Sequence, residues 1–258
     1  MGKLDNKVCI VTGAGGGLGK QTAIRFAEEG AIVCLNDIFQ ENADITAEEC
    51  RKRGAEVLAM ECDVSDFDQC KRFVDAVAEK YGRVDALCNN ACNISAPMPF
   101  EDLTTEDLDM SIKSGLYGTW WMMQLCFPLM KEHGGAILNY RSQAGVEGQE
   151  GFANYSATKE AIGGLTRTVA REWGKYNIRC NCLCPNVATD RFLEGLKYCD
   201  EQLAADMVRW KTNNVMGRMG YAYEDGTPAI VFLVSDDARW ITGQTIHVEG
   251  GTTIVSKG

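Results

Sequence analysis

From residue 7 to about residue 248, short β-branched runs alternate without interruption with segments of helical period, and this rhythm constrains the fold more than any other feature of the 258-residue chain. Residues 8–11, 32–35, 56–60, 86–88, 136–139, 179–183 and 245–248 read as strands. Residues 18–29, 42–53, 66–81, 105–131, 154–175 and 225–235 read as helices. Strand–helix–strand units close through right-handed crossovers, so the pattern predicts an α/β fold: one doubly wound, mostly parallel sheet with helices on both faces. No Pro/Ser-rich linker divides it, and residues 1–258 are expected to form a single domain, with a nucleotide-binding part over about 7–90 and a catalytic and substrate part over about 91–258. Residues 190–214 break the rhythm with a helical pattern and no strand. An insertion there lies over the carboxyl edge of the sheet, where such segments act as substrate lids.

Charge narrows the partners. With 26 basic against 36 acidic residues the net charge is −10, which offers no electrostatic footprint for nucleic acid or an anionic membrane surface. The apolar run after Lys7 is too short for a signal sequence, and no run approaches the ~18–20 apolar residues of a membrane span. A cytoplasmic protein is expected. The 12 cysteines contain no CxxC pair, and with only two histidines no zinc or redox motif is spelled. Cys180, Cys182 and Cys184 would share one face of a strand and pack there as small hydrophobes, so reduced, buried thiols and no metal site are expected.

Three local patterns carry chemistry. Thr12-Gly13-Ala14-Gly15-Gly16-Gly17-Leu18-Gly19 follows a strand and opens a helix, where glycines let backbone amides approach a pyrophosphate at the positive end of the helix dipole. Asp37 ends the next strand, eighteen residues beyond Gly19, near the spacing at which an acid accepts the ribose hydroxyls of an adenosine. A 2′-phosphate would meet this carboxylate as a like charge, and no Arg or Lys stands inside the loop or directly after Asp37, so NAD is the expected cofactor. Tyr155 and Lys159, four apart in a helical segment, share one face. An ammonium beside a phenol favours the phenolate, which makes the pair a candidate general acid/base.

Together with Asp63-Val64 after the third strand, Asn89-Asn90-Ala91 after the fourth and Ser142 thirteen residues before Tyr155, these patterns resemble the short-chain dehydrogenase/reductase family over nearly the whole chain. The resemblance implies a single Rossmann-like domain and hydride transfer between a nicotinamide and a carbonyl or secondary alcohol. It implies that Tyr155 exchanges the substrate proton, that Lys159 holds the nicotinamide ribose, and that Ser142 orients the substrate oxygen. The cofactor would then be held by Gly13, Gly17, Leu18, Gly19 and Asp37, with Asp63 and Val64 at the adenine, Asn90 at the adjoining ribose, Thr189 at the carboxamide, and Tyr155 and Lys159 beside the nicotinamide. The family also implies a homotetramer. Long helices over 105–131 and 154–175, apolar on more than one face, agree with an oligomer.

Three positions depart from the family pattern. Its Asn-Asn-Ala-Gly stands here as Asn89-Asn90-Ala91-Cys92, its Pro-Gly as Pro185-Asn186, and its fourth catalytic residue, an Asn, falls on Gly115. The last leaves open how a proton relay behind the lysine would run. Residues 95–98 and 143–146, Asn186, and the lid side chains Phe192, Leu193, Leu196, Tyr198, Met207 and Trp210 are candidates for a wide, apolar pocket suited to a rigid ring system. The runs Ser114-Gly115-Leu116-Tyr117-Gly118-Thr119, Arg171-Glu172-Trp173-Gly174-Lys175 and Met216-Gly217-Arg218 resemble bacterial hydroxysteroid dehydrogenases acting on bile acids, especially the 12α type. That resemblance implies a steroid substrate, with Arg191 or Lys197 placed to meet its carboxylate. Polyols, small ketones or 3-oxoacyl compounds are the alternatives, and a non-catalytic NAD-binding protein is a further one. His133 and His247 lack metal or triad spacing, and no GxSxG elbow supports a hydrolase.

Overall fold

In the computed structural model, which describes residues 2–253, seven parallel strands form one sheet in the order β3-β2-β1-β4-β5-β6-β7. They are β1 (Val8–Val11), β2 (Ile32–Asp37), β3 (Val57–Glu61), β4 (Ala86–Asn89), β5 (Gly135–Tyr140), β6 (Ile178–Pro185) and β7 (Thr245–Val248). All seven sequence-predicted strands are present, and the fold is the Rossmann-like single domain the rhythm implies. The chain winds outward to β3, then returns across β1 to β4 and proceeds to β7. The order therefore reverses between β1 and β4, the switch point at which open α/β sheets bind ligands.

Strand alternation explains the two-faced core. In β1, Cys9 and Val11 point into one apolar cluster while Val8 and Ile10 point into the other, and all four are buried. The first cluster is closed by α1 (Gly17–Glu28), α2 (Gln40–Arg51) and α10 (Thr227–Val234), through Phe26, Ala47 and Ile230 among others. The second is closed by α3 (Phe67–Tyr81), α5 (Gly118–Met130) and α7 (Ala153–Trp173), through Phe73, Met122 and Val169. Cys180, Cys182 and Cys184 are all buried, and so are seven of the remaining cysteines; Cys92 and Cys199 alone are partly exposed. No disulfide and no metal-binding cluster occurs among the described residues.

Local chemistry sets the helix ends. Asp66 accepts the amide of Gln69 to cap α3, and Gly82 closes it in the left-handed conformation. Thr104 and Asp107 form a reciprocal capping box at the start of α4 (Thr105–Ser111). The single helix expected over 105–131 is helical throughout but widens into a π-helical turn at Ile112–Tyr117 before continuing as α5. Such turns concentrate at functional sites. Two short helices, α8 (Asp190–Leu196) and α9 (Glu201–Thr212), account for the segment that interrupts the rhythm. A fifth-strand turn of helix, α6 (Gln143–Glu147), was not expected; Ser142 starts it by accepting the amide of Ala144 at 3.2 Å. Among the described residues no helix is long and apolar enough to cross a membrane.

Candidate active site

The carboxyl ends of β1 to β4 open into one cleft of about 450 Å³. It gathers Gly13, Gly17, Leu18, Asp37, Asp63, Val64 and Asn90 of the expected nucleotide residues, with Gly19 packed behind it. A Cβ at Gly19 would stand 2.4 Å from the Gly13 carbonyl, and one at Gly13 would stand 2.9 Å from the Ala91 backbone in a left-handed conformation. Only glycine lets these segments approach so closely. At Gly16 and Gly17, by contrast, the space is open, the nearest atoms to an added Cβ lying 3.8 Å away. The cradle is thus tight beneath and empty above, at the N-terminus of α1, a shape that fits a dinucleotide pyrophosphate.

Asp37 is held at the rim by two backbone donors. Its Oδ2 accepts the amide of Gly15 at 2.9 Å and its Oδ1 the amide of Phe39 at 3.2 Å. Asn90 donates from Nδ2 to the carbonyls of Thr12 and Gly13 at 3.0 and 3.1 Å, and so binds the β4 end to the glycine turn. Asp63 turns onto Ser65, accepting from its amide and hydroxyl, and Val64 packs beneath Gly118. Exposed Ile38 and Phe39, which the sequence did not single out, line the same cleft beside Asp37.

Farther along the edge, α7 presents Tyr155 and Lys159 on one face, as the spacing requires. The Lys159 ammonium lies 5.3 Å from the centre of the Tyr155 ring, and Lys159 itself is buried. Burial alone would lower its pKa, but Cys92 and then Tyr155 beside it outweigh this, and the net direction is upward. The lysine is therefore held as a cation. Ser142 sits at the end of β5; its oxygen accepts one amide within α6 and keeps its own hydroxyl proton free, with no hydrogen bond to Tyr155 among the described residues. A buried chain of side chains underlies this edge: Asn89 donates to Asn139 at 2.8 Å, Asn139 donates to Thr166 at 2.9 Å, and the Cys182 thiol donates to Thr166 at 3.1 Å.

The departures at Cys92 and Gly115 are one feature. A Cβ at Gly115 would stand 3.0 Å from the Cys92 sulfur and 2.7 Å from the Thr158 methyl, inside the π-helical turn. The sulfur fills the volume that a larger residue at 115 would need, and it does so next to Lys159. The third departure also has a partner: Asn186, expected to line the substrate pocket, is buried and accepts the Lys211 ammonium at 2.8 Å. Gln143 and Ala144, expected in the same pocket, are buried as well.

Residue 189 caps α8, and its methyl lies 3.8 Å from an added Cβ at Gly17, so Thr189 does face the glycine turn. Arg191, which the steroid resemblance places at a substrate carboxylate, stands beside the glycine turn. Its guanidinium lines the nucleotide cleft and comes within 3.8 Å of an added Cβ at Gly16, although 175 residues separate the two positions. No local pattern signals such an approach, because it depends on how α8 docks beside α1.

Comparison with known proteins agrees with this geometry. A family model described as enoyl-(acyl carrier protein) reductase matches residues 13–253. The 3-oxoacyl-acyl-carrier-protein reductase FabG of Thermotoga maritima is 36% identical, over 98% of this chain and all of its own length. The 12α-hydroxysteroid dehydrogenase of Clostridium sp. is also 36% identical, covering 97% of this chain and 98% of its own. A crystal structure from Burkholderia xenovorans, assigned to the short-chain dehydrogenases/reductases, superposes with a TM-score of 0.89 at 33% identity over 98% of both chains.

Proposed function

The chain belongs to the short-chain dehydrogenase/reductase family of nicotinamide-dependent oxidoreductases, and from that premise we propose that it is an NAD-dependent hydroxysteroid dehydrogenase acting on bile acids, with the 12α-hydroxyl as its target. The observation that carries the steroid reading is the apolar character of the segment beyond β6. Leu193, Tyr198, Leu203, Trp210, Val215 and Met216 each leave more than a third of their surface in water, as befits a wall that an apolar ring system covers. The 36% identity to the Clostridium enzyme supports the same reading. Equal identity to a 3-oxoacyl reductase favours the second reading, reduction of a 3-oxoacyl thioester.

In this proposal Tyr155 exchanges the proton of the substrate oxygen, Ser142 donates its free hydroxyl hydrogen to that oxygen, and Lys159 keeps a positive charge beside the phenol and holds the nicotinamide ribose. The bound nicotinamide supplies or accepts the hydride. Gly13, Gly17, Leu18 and Gly19 form the pyrophosphate cradle, Asp63 and Val64 flank the adenine, Asn90 the adjoining ribose, and Thr189 the carboxamide. Asp37 sets the choice of NAD: its carboxylate, fixed by two amides, accepts ribose hydroxyls and repels a 2′-phosphate. The segment over 190–214 acts as the lid.

Nicotinamide absorbance, followed with NAD and NADP in turn, tests this. Oxidation of cholate and deoxycholate but not of chenodeoxycholate or lithocholate is the expected result; turnover of a 3-oxoacyl thioester alone would replace the steroid reading with the second one. Asp37→Ala should raise activity with NADP relative to NAD by about tenfold, the worth of removing one close like charge. A wild type that already prefers NADP would overturn the carboxylate argument.

The chain is proposed to assemble as a homotetramer. A groove of about 660 Å³ between α5 and α7 is lined by Tyr117, Trp120, Trp121, Leu165 and Trp173, and Tyr117 and Trp120 are exposed on it. Sedimentation that finds only a 28.3 kDa species at micromolar concentration would refute this assembly.

A further inference from the structure

Five cations stand in or next to the segment that crosses the carboxyl edge, and four of them have partners. Lys197 pairs with Glu194, Arg209 with Asp206 and Arg218 with Asp225, while Lys211 donates to Asn186 and Val187. Arg191 has none among the described residues. It is also the one cation lining the nucleotide cleft, which otherwise carries the carboxylates of Asp37 and Asp63.

Its placement is not that of a loose surface charge. The side chain leaves the first turn of α8, and that turn faces the glycine turn and is tied to α1 by one hydrogen bond. Thr189 caps α8 above Gly17, and the Gln21 amide of α1 donates to the Asp190 carboxylate at 3.1 Å. The guanidinium carbon and one terminal nitrogen consequently stand 4.0 and 3.8 Å from an added Cβ at Gly16, over the open part of the cradle. A dinucleotide brings two phosphate charges into a chain of net charge −10 and a cleft with two acids. The α1 dipole alone offers about half a charge in compensation. A guanidinium matches the phosphate oxygens with two parallel N–H donors and is held ready by a short, anchored helix.

We propose that Arg191 is the phosphate-binding cation of the dinucleotide site, reaching over the glycine turn from α8 to the pyrophosphate. The assignment rests on the nicotinamide-dependent reading above. It replaces the role in which Arg191 meets a substrate carboxylate.

The test is equilibrium binding to the full chain, measured by NADH fluorescence and by calorimetry with ADP-ribose, 2′-phospho-ADP-ribose and adenosine. Wild type is compared with Arg191→Met, which keeps the apolar stem, and Arg191→Lys; a thermal melt of each checks folding, which an exposed side chain should leave unchanged. Arg191→Met is expected to weaken NADH and ADP-ribose about tenfold or more and to leave adenosine as it was, with Arg191→Lys recovering part of the loss. Equal binding by wild type and Arg191→Met would overturn the assignment, and so would a loss confined to 2′-phospho-ADP-ribose, which would place the guanidinium at a 2′-phosphate. A wild type that binds none of the nucleotides would instead overturn the nicotinamide reading itself.

Discussion

The nucleotide half of the sheet and the two-helix segment that crosses its edge are both built from well-formed local elements, yet they differ in what holds them. In the first, every residue of β1 and β4 is buried, and α1 buries Gly19 and five side chains. In the second, α8 buries none and α9 only Lys211. Both of these helices have a capped start, Thr189 accepting the amide of Phe192 and Asp200 that of Leu203. Capping makes a helix, but burial places it. The half that holds the cofactor cradle is positioned by the core, whereas the half that would hold the substrate is tied down at a few polar points and leaves its apolar surface free.

The sharpest test of this division is Tyr155→Phe. If the two halves act separately, turnover falls about 10²–10⁴-fold while the NADH dissociation constant stays within about twofold; parallel loss of NADH affinity would show that they do not. Stability should divide in the same way. Ile10→Ala, deep under the sheet, is expected to cost about 2–5 kcal/mol in denaturant unfolding. Leu203→Ala in α9 should stay within about 0.5 kcal/mol, and similar losses at the two positions would erase the distinction.

Between the halves lies the Cys92–Gly115 contact. Gly115→Asn is expected to destabilise the chain by about 1–3 kcal/mol, because the new side chain meets both a sulfur and a methyl. Adding Cys92→Gly should return the sulfur's share, so that the double variant is more stable than the sum of the two single costs predicts. Strict additivity would mean that the two departures are unrelated.

The smallest effect concerns pH. Burial lowers the Lys211 ammonium to about 8, against 10.5 for a free lysine. The docked segment therefore binds a proton more weakly than the undocked one, and docking gains as pH rises from about 8 toward 10.5. Proteolysis within 190–214, corrected for the protease's own pH response, should slow severalfold between about pH 7.5 and pH 9.5. In Lys211→Met the rate should be flat across that range; a slope equal to wild type would exclude Lys211 as its source.

How much of this was legible depended on whether a signal was local. The strands announced themselves through β-branched runs that the two-faced core demands, and the glycine turn through a spacing that the close approaches at Gly13 and Gly19 explain. Tyr155 and Lys159 followed from helical period. The π-helical turn did not, since residues 112–117 have no composition that separates them from ordinary helix. The pairing of Asn186 with Lys211, twenty-five residues away on α9, has no local signal either. The approach of Arg191 to the glycine turn is equally non-local: a charge on a segment of unknown docking can be assigned a sign but not a target.

The ten buried thiols have a consequence for how the molecule can be watched. They are spread over β1, β2, α2, α3, β4, α5 and β6 and over the turn at Cys62, and burial raises the pKa of Cys9, Cys34, Cys50, Cys88, Cys126 and the three cysteines of β6. Such sulfurs are silent toward an external disulfide until their element opens. The rate at which each one becomes labelled is then a clock for the opening of its own strand or helix, which makes the chain a position-resolved recorder of its own unfolding without any introduced probe. The same distribution sets its fate once open: in an oxidising solution, many newly exposed thiols would cross-link in non-native pairs, and a transient excursion would become permanent.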